Sequence, residues 1–256
     1  MSNCPFEASG IAAILHSARG GVLIGVLFSM SAPVSAQLPA NVSSEELRRM
    51  DPLALVRLLD ERRPSPVPPH VRAQVLAQLP RKGEVQDLSP KERQKLAAIE
   101  PVLDVAQRQS VYAVKVVDAP HAFIGIHERS VMLITRAALK IASEEELRAA
   151  VSHETAHEYV HTDYERARID ARRSRLQDLE LVCDIIAVVT LRAMGQEALT
   201  LPAVIEKIQR FNRFHFGYET DPDYPEVLLR RSVILALEKR LLRSTDPRFA
   251  AKQASQ

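Results

Sequence analysis

His153-Glu154-Thr155-Ala156-His157 lies within the tract Ser143-Glu144-Glu145-Glu146-Leu147 to Ile169, and the reading of that tract decides the fold. Ser143 with Glu146 three residues on matches a capping box, and nothing as far as Ile169 interrupts a helix. On such a helix positions i and i+4 lie about 40° apart, so His153 and His157 share one face. Two imidazoles so placed can meet one metal ion, with Glu154 beside them where it can act on a water. The flanking Leu147, Ala149, Ala150, Val151, Ala156 and Val160 face an interior. Two His and a Glu among such residues cost free energy unless a cation compensates them. One zinc ion per chain is the expected compensation.

A hydrolytic zinc typically keeps three protein ligands, and three candidates follow the motif. His161 continues the i+4 ladder but lies about 6 Å further along the axis, so it reads as a supporting or surface histidine. Asp163 stands six residues after His157, where the metzincin layout places its ligand after a turn at Gly. Here Val160 holds the Gly position, and a β-branched residue is ill-suited to positive φ. Glu180 opens the run Glu180-Leu181-Val182-Cys183-Asp184-Ile185-Ile186-Ala187-Val188-Val189, apolar nearly all round and therefore a buried helix. Glu180 and Asp184 share a face of it. Glu180 as ligand and Asp184 as acceptor from a ligating imidazole satisfy both carboxylates. Ion pairs to arginines such as Arg148 or Arg172 are the alternative. Glu180 is the expected third ligand, and Cys183 a small packing residue without chemistry.

Working outward, the 256 residues carry a net charge of +2, 46% hydrophobic residues, eight Gly, no Trp and two Cys. This excludes a disordered chain, a collagen-like chain and a disulfide-stapled miniprotein, and the near-cancelling charges give no sign of a nucleic-acid partner. Half of the glycines crowd the first 25 residues. There Arg19 precedes the apolar run Gly20 to Met30, and Val34-Ser35-Ala36 precedes Gln37. That is the layout of a signal peptide over 1–36, which places the mature protein outside the cytoplasm, in the periplasm. Uncleaved, the segment is a membrane anchor. Cleavage removes Cys4, leaving Cys183 without an intramolecular partner.

Residues 37–100 read as a helical lead-in: helices opened at Ser43 and at Asp51-Pro52, a stiff connector over 63–69, then helices near 70–78 and 90–98. From 101 to 256 short strands at 111–117, 122–126 and 131–135 precede the motif helix. Further helices follow at about 174–194, from Thr200, and from Pro225 to about Leu242. The fold class is α+β, mostly helical, with a small sheet.

His-Glu-x-x-His followed on the next helix by Glu180-x-x-x-Asp184 resembles the gluzincin zinc metallopeptidases. The wider text is similar to the CAAX prenyl endopeptidase, HtpX and BepA-like branch. Its carriers are His121-Ala122-Phe123, Val131-Met132-Leu133-Ile134-Thr135 and Glu145-Glu146-Leu147 through His157. The resemblance implies a metalloendopeptidase with zinc on His153, His157 and Glu180, Glu154 as general base and Asp184 orienting a ligand. It further implies that the strand near His121, Ala122 and Phe123 pairs with an extended polypeptide substrate. His121 replaces the family's usual Asn. Tyr224 stands where the family has a His, and Tyr224 or Arg230 is a candidate oxyanion donor. A role in protein quality control and a membrane or envelope-protein partner are the accompanying expectations. The alternative is a catalytically silent zinc-containing binding or chaperone module.

Overall fold

The computed structural model describes residues 37–79, 83–218, 222–244 and 249. The signal-peptide expectation for 1–36 lies outside the described residues. Among those described, no helix is long and apolar enough to cross a membrane.

The lead-in forms α1 (Ser44–Arg49), α2 (Pro52–Glu61) and α3 (Pro69–Gln78), then α4 (Pro90–Ala97) and α5 (Glu100–Val105). Local chemistry sets their starts. The Asp51 carboxylate accepts from the Leu53 and Ala54 N–H groups, and Ser89 with Glu92 forms a complete capping box. Each such cap contributes about 1 kcal/mol. Three strands follow, β1 (Ala113–Val117), β2 (Ile124–His127) and β3 (Val131–Thr135). The remaining helices are α6 (Arg136–Ile141), α7 (Glu144–Ile169), α8 (Arg173–Ala193), α9 (Thr200–Phe216) and α10 (Val227–Leu241).

The sheet has the order β1-β3-β2, with β1 parallel and β2 antiparallel to β3. All five β3 residues are buried. Met132 and Ile134 enter the main core, while Val131 and Leu133 join Val117 beneath Val75 and Leu76 of α3 and Leu79, which caps it. An α+β, mostly helical zincin-like domain with a small mixed sheet results, as the sequence leads one to expect. The sheet is therefore covered on both faces, and β2 presents an edge next to α7.

Some details differ from the expected elements; the first strand begins at Ala113, not at 111. Helices α5 and α6, six residues each, were not anticipated, because so short a run shows no period. Thr135 ends β3 and caps α6, its Oγ1 accepting from Ala138 N–H at 3.2 Å. The second strand begins at Ile124, not Ala122, because Ala122 and Phe123 bond to side chains of Asn212 and Thr135. As expected, Gly195 follows α8 with φ 68, the conformation that lets a C′ glycine receive the last turn.

The core is centred on α7 and α8. Leu47, Leu55, Val56 and Leu59 of the lead-in belong to the same buried cluster as Leu179, Ile185 and Val188 of α8. Polar ties reinforce this: Ser44 N–H and Oγ donate to Asp178 at 3.0 and 2.6 Å. Leu38 N–H donates to Tyr159 C=O at 3.0 Å. The Arg240 guanidinium of α10 gathers the carbonyls of Arg48, Arg49 and Met50, which end α1.

The β2–β3 turn brings the connector into the structure. Glu128 and Arg129 both have positive φ, 48 and 51, a conformation that costs a non-Gly residue on the order of 1 kcal/mol. Arg129 is held there by its side chain, which donates to Ser65 C=O at 2.8 Å and to Glu158 at 3.2 Å. Arg108 donates to Pro64 C=O at 2.5 Å and likewise to Glu158, at 3.1 and 3.2 Å. Tyr112 O–H is a further donor to Glu158. The 2%-exposed Glu158 carboxylate of α7 thus balances two guanidinium groups that grip the connector.

Candidate metal centre

The capping box expected at Ser143 and Glu146 starts α7, and 26 unbroken residues carry the motif into the interior. His153 and His157 come together as their spacing requires: their Nε2 atoms are 3.3 Å apart and the rings meet edge to face. His153, Glu154 and His157 place one ligand-capable atom each within 4.8 Å of one another. From α8, Glu180 supplies a second carboxylate. Its Oε2 lies 3.2 Å from His153 Nε2 and its Oε1 3.7 Å from His157 Nε2. Asp184 Oδ1 lies 2.9 Å from His153 Nδ1.

Two carboxylates are thus within reach of a common ion, and their surroundings separate them. Glu180 is fully buried and faces both imidazoles. Glu154 is half-buried and lines the cleft beside Ile126 of β2, whose backbone favours its charged form. The cleft has a volume of about 400 Å³. Along one side run Phe123 to Arg129, and across from them His153, Glu154, His157, His161, Tyr164 and Tyr224.

The charges are consistent with a cation-binding centre. Burial works against charge on His153, yet hydrogen bonding and charge from Asp184 and Glu180 outweigh it and push its pKa to about 10. Burial lowers His157 to about 4, leaving a neutral imidazole. Burial also opposes ionisation of Glu180, but His157, His153 and Arg230 hold it well below the usual carboxylate range. Burial raises Glu154 to about 7. Two nitrogen donors and one ionised carboxylate, with Asp184 2.9 Å from the second imidazole nitrogen of His153, are a donor set for a borderline transition metal. Magnesium and calcium demand oxygen. The residues fit the metal that the motif implies.

Arg230 corrects the sequence reading. The sequence offers it as an oxyanion donor, but it is 1% exposed and does not line the cleft. Its Nη1 donates to Asp184 at 2.7 Å and its Nη2 to Glu180 at 2.9 Å. The arginine partner of these carboxylates is therefore Arg230, not Arg148 or Arg172: Arg148 bonds Gln196 and Arg172 pairs with Asp170. Asp163, the alternative ligand, is spent on Arg175 at 2.5 Å and on Asn41 N–H at 3.3 Å. Neither His121 nor Ala122 lines the cleft. His121 packs against Tyr218 and Ala122 is bonded to Asn212, whereas Phe123 and Tyr224 do line it. Cys183 is a free, buried thiol in the core, as expected.

Tyr164 was missed. Its hydroxyl donates to Glu180 Oε1 at 3.0 Å and its ring meets His157 edge to face. The signal was present: Tyr164 is seven residues after His157, two turns on along the same helical face. Burial pushes its phenol well above the usual range, so it stays a donor. Tyr164→Phe is expected to weaken metal affinity about tenfold by freeing the Glu180 carboxylate. Competition against a chromophoric chelator measures this, and an unchanged affinity would refute the role.

An H-E-x-x-H helix packed on a helix bearing the next carboxylate, beside the edge of a small sheet, defines the zincin-like class of metallopeptidase domains. Residues 91–214 match the family model described as Peptidase family M48, whose members are metal-dependent peptidases. The match runs from α4 to near the end of α9 and supports a metallopeptidase. Arg230, on α10, lies beyond it. No curated protein matches the chain.

Proposed function

We propose that this chain is an exported zinc metalloendopeptidase acting on extended polypeptide segments, in keeping with its resemblance to the HtpX and BepA-like branch. The observation that carries the reading is the division of labour between two carboxylates. Glu180 is sequestered with both imidazoles, and Glu154 is turned to the cleft at β2. A site with only a structural duty has no use for the second.

Zinc held by His153, His157 and Glu180 would supply the Lewis acidity that polarises the scissile carbonyl and acidifies a water. Asp184 keeps His153 in one orientation and Arg230 fixes both carboxylates of α8. Glu154 takes the proton from the attacking water and passes it to the leaving amine. A carboxyl raised to about 7 is suited to both directions of that transfer at neutral pH. The outward backbone of β2 receives the substrate as an added strand. Tyr224, at the cleft wall, is the oxyanion candidate left by the relocation of Arg230.

The experiment is metal analysis of protein purified without chelator, followed by a casein digestion. About one zinc per chain is expected, with digestion abolished by a chelator and restored by zinc. Zinc without any turnover, in the presence of unfolded substrates, would favour the silent binding module. Export rests on residues 1–36 and is checked by protease accessibility in cells with a permeabilised outer membrane.

A further inference from the structure

The usable edge of β2 is shorter than the strand's surroundings suggest, and the cause lies 90 residues downstream. In an antiparallel pair, alternate residues turn their backbone groups toward the partner strand. Phe123 bonds with Thr135 and Gly125 stands opposite Leu133, so Ala122, Ile124 and Ile126 point outward. Ile126 lies beside the Glu154 carboxylate in the cleft, which leaves its N–H to that group. Ala122 is closed altogether: its N–H donates to Asn212 Oδ1 at 2.8 Å and its C=O accepts from Asn212 Nδ2 at 2.9 Å. One carboxamide exchanging both bonds with one residue copies the hydrogen-bonded pair of an antiparallel sheet. It does so from the position that the next residue of an added strand would take. Among the described residues, this edge then offers the N–H and C=O of Ile124 and the C=O of Ile126.

We propose that Asn212 is a specificity-determining residue that sets where substrate pairing ends. An extended peptide pairs antiparallel to β2 opposite Ile126 and Ile124 through three hydrogen bonds, and must turn away or terminate before Ala122. The inference rests on the metallopeptidase reading above. An antiparallel substrate runs from the His127 end toward Ile124, and Glu154 sits at Ile126, so the portion meeting Asn212 lies on the carboxyl side of the scissile bond. Backbone recognition on that side stops at the residue opposite Ile124. Phe123 and Tyr224, both in the cleft wall, are left to contact the departing chain. The substrate class is therefore a short extended tract followed by a bend or an end, as in a loop or a chain terminus, in preference to a long uninterrupted strand.

The test is a nested series of one cleavable peptide, lengthened a residue at a time at its carboxyl end. For the natural protein kcat/KM is expected to rise until the residue opposite Ile124 is present and then to level off. In Asn212→Ala with undiminished zinc content, the plateau moves two residues further out, because the Ala122 groups become available. A natural protein that keeps gaining over those two residues, or a plateau unmoved in Asn212→Ala, overturns the proposal. If that variant does not fold, amide exchange on Glu154→Gln with the longest peptide bound decides. Protection gained at Ile124 with none added at Ala122 supports the proposal, and added protection at Ala122 overturns it. Failure of the zinc-loaded natural protein to cut any peptide counts against the peptidase reading instead, since the exchange experiment reads the closed edge without turnover.

Discussion

Glu154→Gln is expected to hold one zinc per chain and to lose about 10³-fold or more in kcat/KM. General acid–base catalysis contributes about 10²–10⁴-fold in enzymes, and here one group serves as both base and acid. The amide is nearly isosteric, so the cleft wall beside Ile126 keeps its shape. It cannot take a proton. His153, His157 and Glu180 are untouched, so metal content and thermal stability should match those of the natural protein. The measurement is a progress curve on a fluorogenic peptide alongside metal analysis. Cleavage within tenfold of the natural rate would remove Glu154 from the mechanism. Loss of zinc would make it a ligand.

Arg230→Ala should be the most destabilising substitution at the centre, at about 3–5 kcal/mol in the presence of a chelator. Arg230, Glu180 and Asp184 are at most 1% exposed, so the variant leaves two anions without their shared counter-ion. Bound zinc restores part of the missing positive charge. The loss measured by urea unfolding should therefore be smaller with saturating zinc than with chelator. By linkage, the folded variant then holds zinc at least as tightly as the natural protein does. An equal loss in both conditions, with weakened zinc binding, would mean that Arg230 acts through geometry alone. Arg230→Lys should recover only part of the stability, because one ammonium cannot fork between two carboxylates.

What could be read from the sequence followed the range of the interactions involved. His153 and His157 were legible because four residues is a helical period. Glu180 and Asp184 were legible because carboxylates stand out on a helix otherwise apolar all round. Arg230 carried no such mark: it reaches Asp184 across 46 residues, and only packing of α10 on α8 reveals the pairing. The shift of the second strand has the same origin, since β-propensity at Ala122 and Phe123 gives no hint of an asparagine on α9. Helices α5 and α6 failed for a local reason, being too short to display a pattern. Tyr164 was legible in principle, at two turns beyond His157, but a phenol on a helix face carries no burial cost that demands a partner as a carboxylate does.

The proline-rich connector looks like a place where a chain could be cut or hinged, yet its grip by Arg108 and Arg129 gives it another character. Both guanidinium groups depend on Glu158, one residue beyond His157 on the helix of the motif. Lifting Pro64 and Ser65 away strips two cations of partners and unsettles the turn that ends β2. The connector is thereby tied to the helix that carries the motif and to the turn that follows β2. What reads in sequence as a spacer is, in the fold, a clasp closed on a single buried carboxylate.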